Sequence, residues 1–394
     1  MSWQTESVME QKERFIRMWL SNDFTFKGLC ESFRTSTRTG YNLLNAYKKY
    51  GDDCFLPKSK RPINSPNKTP QIIEDKIIQL RGKHEDWGAR KFRTMLQKYF
   101  KENLIPSETT INAILKRNNL VKNRRKRTAG IGKQYPQFDP KECNEIWSAD
   151  YKGKFKLKNG RYCCPLTVCD SKSRKILGIK CHYKATYNSV KSAYVDIFRQ
   201  HGLPLFIHTD NGSPFGNTKA ICRFTKLCYW LIDQEIIPVF SDPASPQQNG
   251  RHERMHRDLK AFCRKKIKTT LSKQQIVMDE FQKEYNEIRP HESLDMKTPN
   301  VVHVRSKREY TEKKVKYDYD FHFKKMKVCI NGAARWGAYH WLFISRGAKG
   351  RYVAAQEVGD GIWNVYYRNV LLGYFDEKQF VRNEQYLKLT RLKV

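Results

Sequence analysis

Three acidic residues lie at positions where the sequence pattern allows chemistry. Asp150 interrupts the first predicted strand, Asp210 ends the apolar stretch "PLFIHTD" just before Asn-Gly, and Glu253 lies in the first turns of a predicted helix. Brought together, two aspartates and a glutamate are hard oxygen ligands, which suit Mg²⁺ or Mn²⁺ and not zinc. A pair of such ions about 3.5–4 Å apart can activate a water and stabilise a leaving phosphate-ester oxygen.

The sequence around Glu253, "RHERMHRDLK", is basic. Arg257 lies four residues and Lys260 seven residues after Glu253, so all three share one helix face, where the bases could hold a phosphodiester. A solvated charged helix would show the same pattern. Asp210-Asn-Gly is also typical of a simple turn, and Asp150 could cap or pair locally. The spacing of the acids therefore leaves their chemistry open.

The elements that would position these acids form a predicted α/β domain over residues 129–308. "IWSADYKGKF", "RYCCPLTVCD" and "KILGIKCHY" predict three strands, which are followed by helix, strand, helix, strand and helix. This order predicts a mixed sheet. The helix before the last strand covers "KAICRFTKLCYWLIDQE", and the long helix after it covers "QQNGRHERMHRDLKAFCRKKI". Active residues of open α/β sheets gather beyond the carboxyl ends of strands, which favours Asp210.

Residues 1–57 predict a helix-turn-helix unit. Thr25 and Ser36 are suitable N-caps for its second and third helices. The third helix, "TRTGYNLLNAYKKYG", is expected to bury Tyr41, Leu44 and Tyr47. Its polar, basic start suits a recognition helix in a DNA major groove, although an ordinary helical hairpin would look similar. The expected base contacts centre on Arg38, Thr39 and Asn42.

A linker over 58–70, rich in Pro, Ser, Asn and Lys, separates this unit from a second helical one at 71–128. The second unit ends in "KNRRKR", where five of six residues are basic, and we expect this arm to follow a DNA backbone. The expected contacts of the arm are Arg124, Arg125, Lys126 and Arg127. Beyond residue 308 the pattern turns β-rich, and 309–394 predicts a small all-β barrel or sandwich.

The composition indicates a long polyanion as partner. The formal net charge is +35, and the segments 1–128, 129–300 and 301–394 carry +14, +11 and +10. Because every segment is basic, a basic tail on a neutral enzyme is excluded, and a nucleic acid that contacts all domains is favoured. Eleven scattered cysteines form neither a disulfide framework nor paired zinc knuckles. The sequence offers no membrane span or secretory signal, so we expect a cytoplasmic protein.

The chain resembles bacterial insertion-sequence transposases of the retroviral-integrase superfamily, the Asp-Asp-Glu enzymes with a ribonuclease-H-like core. The matching stretches include "IWSADYKGKF", "GRYCCPLTVCDSKSRKILG", "HTDNGSPFG", "SPQQNGRHERMHRDLK" and "YNEIRPHESLDMKTP". The helix-turn-helix stretch, "RWGAYHWLFIS" and "DGIWNVYY" are also similar, so the likeness runs nearly end to end. One departure is the 42 residues between Asp210 and Glu253, which exceed the spacing typical of the wider superfamily. We place the excess in the "FGNTKAICRF" segment.

The resemblance implies roles for individual residues. Asp150, Asp210 and Glu253 fall on the three metal-binding carboxylates of the family, which hold two Mg²⁺ (or Mn²⁺) ions, and Lys260 falls on a position that holds donor DNA. The implied partners are double-stranded DNA, as element terminal repeats and as target, and further copies of the chain. The implied function is transposition by a nucleoid-associated bacterial enzyme. A catalytically inactive or domesticated DNA-binding regulator is the alternative, and a plain ribonuclease-H-type nuclease is a third interpretation.

Overall fold

The computed structural model describes residues 7–56, 68–121, 139–217, 220, 223–241, 250–312, 316–382 and 386–390. Contacts divide the chain into two compact units, Met1–Lys68 and Thr69–Val394, which are described separately below. Most of the predicted linker 58–70 and the whole basic arm 122–127 lie outside the described residues. The structure combines helices and sheets, as the sequence predicts.

The described part of the first unit contains the helices α1 (Val8–Leu20), α2 (Phe26–Ser32) and α3 (Thr37–Tyr50), followed by a 3-10 turn at Gly51–Phe55. The predicted caps are confirmed, since Thr25 accepts a hydrogen bond from the amide of Gly28 and Ser36 accepts one from the amide of Thr39. The prediction that Tyr41 is buried is wrong, because its side chain is 53% exposed.

Helix α3 instead turns Gly40 and Leu44 toward the core of this unit. A Cβ atom on Gly40 would lie 2.8 Å from the Cys30 sulfur and 3.0 Å from the Phe26 ring, so only glycine permits this close approach of α3 to α2. Tyr41, one position further around the helix, stacks on Phe26 at a centroid distance of 4.1 Å while its other face meets solvent.

The second unit begins with the helices α4 (Gln71–Lys83), α5 (Ala89–Leu96) and α6 (Glu108–Arg117). They enclose an apolar core that includes the fully buried Ile77, Phe92 and Ile111. Ser107 caps α6 by accepting a hydrogen bond from the amide of Thr110, as predicted. The guanidinium of Arg81 in α4 donates to the carbonyl of Trp87, just before α5, and to that of Leu120, just after α6, and so links the three helices.

A mixed sheet forms the centre of this unit. Its strands are β1 (Ile146–Tyr151), β2 (Phe155–Lys156), β3 (Tyr162–Asp170), β4 (Ile176–His182), β5 (Phe206–Thr209) and β6 (Ile237–Phe240). The main order is β4-β3-β1-β5-β6, with β2 also on β3. The pairs β1–β3 and β3–β4 are antiparallel, whereas β1–β5 and β5–β6 are parallel. The order of elements in the sequence therefore predicted the mixed sheet correctly.

Helices cover both faces of this sheet, so a β-strand sends alternate side chains into two different cores. On one face, α7 (Tyr187–His201) and α8 (Lys226–Asp233) pack against Trp147 and Ala149 of β1. On the other face lie α9 (Gly250–Cys263) and α10 (Leu271–Lys283), and Ser148 of β1 points toward α9. Asp150 has the same parity as Ser148 and therefore faces α9 as well.

Several boundaries differ from those that the sequence predicts. Helix α8 begins only at Lys226, because Arg223 has a φ of +52°, a left-handed conformation that a continuous helix cannot contain. Helix α9 ends at Cys263, before the predicted "RKKI". Helix α10 and the π-helical turn Glu284–Ile288 were not predicted, and they lead through α11 (Pro299–Val302) to the C-terminal part.

The described residues of the C-terminal part form seven strands, β7 (Lys324–Lys327), β8 (Ala333–Trp336), β9 (His340–Phe343), β10 (Tyr352–Gly359), β11 (Ile362–Tyr367), β12 (Val370–Asp376) and β13 (Tyr386–Lys388). They form a sheet of order β12-β11-β10-β7 and a sheet of order β13-β9-β8. Both sheets pack around one apolar core that also receives Tyr229 and Ile232 of α8. Helix α8 thus belongs to two cores at once. No helix among the described residues is long and apolar enough to cross a membrane.

Replacement by alanine should have opposite effects on stability at two glycines of the second unit, because one is crowded and the other has open space around it. A Cβ atom on Gly178 of β4 would lie 2.7 and 2.8 Å from Cδ1 and Cγ1 of the buried Ile197 on α7. We expect Gly178→Ala to lower the free energy of unfolding by about 1–3 kcal/mol through overpacking. Gly82 of α4 has open space around its Cα, so Gly82→Ala should raise that free energy by about 0.5–1 kcal/mol. Urea unfolding followed by circular dichroism measures both, and equal effects would contradict this packing of α7 on the sheet.

Candidate active site

The first two acidic residues lie at the ends of adjacent parallel strands. Asp150 is the fifth residue of β1, and Asp210 directly follows β5. In the register of this pair Ser148 lies opposite His208, and each aspartate is two residues further along its strand. Since side chains two residues apart point to the same face of a sheet, both aspartates extend from the carboxyl ends of the strands.

Glu253 approaches the aspartates from the first turn of α9. Burial, followed by the negative charge of Asp210 and then that of Glu253, raises the pKa of Asp150 to about 7. Like charges disfavour ionisation only over short distances, so the three carboxylates share one site. Asp150 is the deepest of the three, because Asp210 and Glu253 are both exposed. The structure therefore brings together all three acids on which the sequence interpretation depends.

These residues fit a hard divalent cation by charge and by donor type. All three offer carboxylate oxygens, and a cation among them would reverse the repulsion that raises the pKa of Asp150. A second group of possible metal ligands among the described residues consists of Cys143, Asp170 and His303, whose ligand atoms lie within 4.8 Å of one another.

A buried hydrogen-bond network, which the sequence interpretation missed, joins α9 to the sheet behind the acids. The Thr167 hydroxyl of β3 donates to the carbonyl of Asp150 at 2.9 Å. The Nε2 atoms of His252 and His256 lie 2.6 and 2.7 Å from the same hydroxyl oxygen, to which both can donate. Nδ1 of His252 lies 2.8 Å from the Ser148 hydroxyl and can accept a hydrogen bond from it.

Burial keeps these histidines neutral. It lowers the pKa of His256 to about 4, with a further contribution from Lys152, and it lowers the pKa of His252 well below its ordinary value. Nδ1 of His256 lies 3.8 Å from an Asp150 carboxylate oxygen, so a neutral ring adds no charge beside that acid. The network fixes α9 against β1 and β3, and Glu253 is the neighbour of His252 in this helix. The spacing i, i+4 in "HERMH" is the signal that could have indicated a shared buried face.

Basic residues border the acids. Arg257 and Lys260 are exposed on the α9 face that carries Glu253, as predicted from their spacing. Burial and the charge of Lys260 lower the pKa of Lys152, so Lys152 lies near both Lys260 and Asp150. Lys152 follows β1 by one residue and was not singled out in the sequence. This arrangement surrounds a negative centre with positive charge, which suits a phosphodiester chain held beside metal-binding carboxylates.

The remaining predicted contacts lie elsewhere. Arg38, Thr39 and Asn42 are all exposed on the first half of α3, in the other compact unit. Arg124, Arg125, Lys126 and Arg127 lie outside the described residues.

Cys143, Asp170 and His303 have a structural explanation. The Asp170 carboxylate accepts hydrogen bonds from the amides of Asn144 and Ser173 at 2.9 and 2.8 Å. Burial alone would raise the pKa of Asp170, but hydrogen bonds from His303, Ser173 and Asn144 outweigh it and hold this pKa below its ordinary value. The acid thus ties the turn after β3 to the segment that follows α11.

The raised pKa of Asp150 predicts a pH-dependent stability of the metal-free protein. The folded state favours the protonated acid, so ionisation costs stability once the pH exceeds the ordinary value of 3.8, and the cost is complete above about 7. We expect Asp150→Asn to be more stable than wild type at pH 8.5, by up to about 4 kcal/mol. This advantage should disappear as the pH falls toward 4. Urea unfolding in the presence of a chelator measures it, and a pH-independent difference would contradict the predicted burial of charge.

Comparisons with known proteins find similarity over the region that contains these residues. Two models of the integrase core domain match residues 140–246 and 234–299, which contain Asp150, Asp210 and Glu253. An uncharacterized 39.2 kDa protein of insertion element IS476 from Xanthomonas euvesicatoria is 25% identical over 237 residues, 58% of this chain. An uncharacterized 31.7 kDa protein of insertion element IS407 from Burkholderia multivorans is 23% identical over 237 residues, 60% of this chain. The matched regions span 63% and 82% of those two proteins.

Solved integrases are more distant. The HTLV-2 integrase catalytic core domain in complex with magnesium is 20% identical, with a TM-score of 0.33 over 43% of this chain and 100% of that one. The chain of a simian T-cell lymphotropic virus intasome is 17% identical, with a TM-score of 0.36 over 75% of this chain and 97% of that one. The sequence matches are the more informative: residues 140–299 are similar to the integrase core domain, and the chain is similar to proteins of bacterial insertion elements.

Proposed function

We propose that this protein is a DNA transposase that binds the terminal sequences of its element, hydrolyses the phosphodiester at each 3′ end and joins the new 3′-OH to target DNA. The observation that carries the proposal is the convergence of Asp150, Asp210 and Glu253, from two adjacent parallel strands and one helix, at a single site. The sheet order, with three antiparallel strands followed by two parallel ones, supports a ribonuclease-H-like core.

The three carboxylates would hold two Mg²⁺ or Mn²⁺ ions. When bound, such ions lower the pKa of a water or hydroxyl nucleophile and stabilise the leaving oxygen. Asp150 would be the innermost ligand, held at its backbone by Thr167, while Glu253 would be positioned by the network of its neighbour His252. Arg257, Lys260 and Lys152 would orient the phosphodiester and offset its charge. Catalysis is then a matter of positioning and charge stabilisation, without a covalent protein intermediate.

DNA binding would involve every part of the chain. The net charge of +35 is spread over all segments, as a long polyanionic partner requires. Helix α3 would enter a major groove with Arg38, Thr39 and Asn42, and the arm with Arg124, Arg125, Lys126 and Arg127 would follow the backbone. Because two element ends have to be joined to one target, the active form would be a multimer, associated with the nucleoid.

Removal of the α9 carboxylate tests the chemistry. We expect Glu253→Gln to lower 3′-end cleavage and strand joining by more than about 100-fold, which corresponds to roughly 3 kcal/mol of transition-state stabilisation. DNA affinity should stay unchanged, because the substitution preserves the shape of the side chain. The substrates are labelled duplexes from the two ends of the genetic element that encodes the protein, incubated with Mg²⁺ or Mn²⁺.

Glu287→Gln is the matched control, since Glu287 is an exposed acid in the π-helical turn after α10. It should cleave and join like wild type. Cleavage without joining by wild type would point to a nuclease. Specific binding without any chemistry from wild type, in either metal, would point to the inactive or domesticated DNA-binding regulator, for which the intact first unit would suffice.

Substitutions in α3 test the origin of sequence specificity. We expect Arg38→Ala and Asn42→Ala each to weaken binding to the element ends by about 1–3 kcal/mol, with much less effect on unrelated DNA. Lys48→Ala is the control, because Lys48 is exposed in the last turn of the same helix, away from its amino-terminal half. Its loss should affect both kinds of duplex equally. Fluorescence anisotropy at several salt concentrations measures these affinities, and equal losses for all three variants would remove α3 from the recognition surface.

A further inference from the structure

A second basic site lies within the second unit, away from the carboxylates. It is a cavity of about 160 Å³ between α5, α9 and the residues after α10. Five basic side chains line this basic cavity: Lys91, Arg174, Arg251, Arg254 and Arg289. The two lining acids, Asp258 and Glu292, do not balance them, so the cavity carries a formal excess of positive charge.

Both acids already have partners. Asp258 accepts a hydrogen bond from Nη2 of Arg289 at 2.7 Å, and Glu292 lies 3.7 Å from Arg90, outside the cavity. Arg251 pairs with Asp139 at 3.1 Å. Lys91, Arg174 and Arg254 therefore give the cavity positive charge that its two lining acids, Asp258 and Glu292, do not balance.

Buried donors in the basic cavity lack acceptors among the described residues. Nη1 of Arg174 and Nε of Arg289 are both buried without a hydrogen-bond partner in the part of the chain that the structure describes. A buried donor left unsatisfied costs roughly 1–3 kcal/mol, and more when it is charged. Burial, with repulsion from Arg289 and Arg254, also lowers the pKa of Lys91 to about 8. The cavity is thus organised for an anion that would satisfy both guanidinium groups.

Helix α9 separates this cavity from the candidate active site. Its lining residues Arg251, Arg254 and Asp258 follow one another by three and four positions and so form one stripe. Glu253, Arg257 and Lys260 form another stripe, which begins two residues, or about 200° of helix rotation, after Arg251. The basic cavity therefore cannot be the binding site of the scissile phosphodiester beside Glu253.

Its size and chemistry select the ligand. The volume is well below the roughly 300–1,000 Å³ of pockets for drug-sized ligands, so a cofactor or a base does not fit. Guanidinium groups match the oxygens of phosphate in pairs, which makes several converging arginines typical of phosphate recognition. We propose that the basic cavity is a phosphate-binding site, separate from the carboxylates, that takes one phosphate group of either a DNA backbone or a small phosphorylated molecule.

Inorganic phosphate tests the site without any DNA chemistry, so the result is independent of the proposed transposase function. At constant ionic strength, replacing chloride with millimolar phosphate should raise the Tm of the wild type by about 2–4 °C. Arg254→Gln, at an exposed position on the rim, and Lys91→Met, which removes the charge but keeps the apolar stem, should lose most of this rise. Arg264→Gln is the matched control, because Arg264 is an exposed arginine just after α9 that does not line the cavity.

The expected result is loss of the phosphate effect in Arg254→Gln and Lys91→Met but not in Arg264→Gln. The proposal is overturned if phosphate has no effect on the wild type, or if all four proteins respond alike, as a general salt effect would require. The salt dependence of binding to a duplex of arbitrary sequence then identifies the source. Arg254→Gln and Arg264→Gln each remove one positive charge. If the salt-dependence slope falls by about one in Arg254→Gln but not in Arg264→Gln, the ligand is a backbone phosphate. If the two slopes are equal, the ligand is a small phosphorylated molecule.

Discussion

The hydroxyl of Thr167 is the point through which the sheet and α9 hold the acids in place. It bonds to the backbone of Asp150 and lies within hydrogen-bond distance of two histidines of α9, all at a fully buried position. Together with the hydrogen bond between His252 and Ser148, this contact sets the rotation of α9 relative to β1. Apolar side chains tolerate sliding, whereas a hydrogen bond among buried groups has a narrow range of distance and angle. The relative positions of Asp150 and Glu253 therefore depend on polar atoms that are themselves far from solvent.

Concentrating acids at one sheet edge has a cost in stability that the rest of the unit must offset. Asp150 is half-buried beside two other carboxylates, and this burial and their charges raise its pKa, so its ionisation costs stability. Large apolar cores on both faces of the sheet supply the compensation, and α8 adds to it by packing against the central sheet on one side and the C-terminal sheets on the other. Arg351 and Tyr367 of the C-terminal part both bond to Asp233 at the end of α8. The β-rich part is thereby joined to the layer that supports the site.

The sequence was informative wherever a local pattern has one physical cause. The caps Thr25, Ser36 and Ser107 were predictable because an N-cap hydroxyl satisfies an amide within its own helix. The order of strands and helices was enough to predict a mixed sheet, and the resemblance selected the three acids that the structure brings together. Tertiary contacts decided the rest. Tyr41 is exposed because Gly40 permits a close approach of two helices, and the partnership of His252 with Thr167 spans 85 residues of sequence. Lys152 and the basic cavity likewise depend on neighbours distant in the chain.

The two stripes of α9 limit how this helix can change during evolution. Each residue inserted or deleted after Glu253 would rotate the rest of the helix by about 100°, which would turn Arg257 and Lys260 away from the side that faces the acids. Between His252 and His256 such a change would also remove one imidazole from Thr167. We therefore expect relatives to differ here by substitution at constant length. Variation in length is better tolerated before α8, where the left-handed conformation of Arg223 already lies outside any helix.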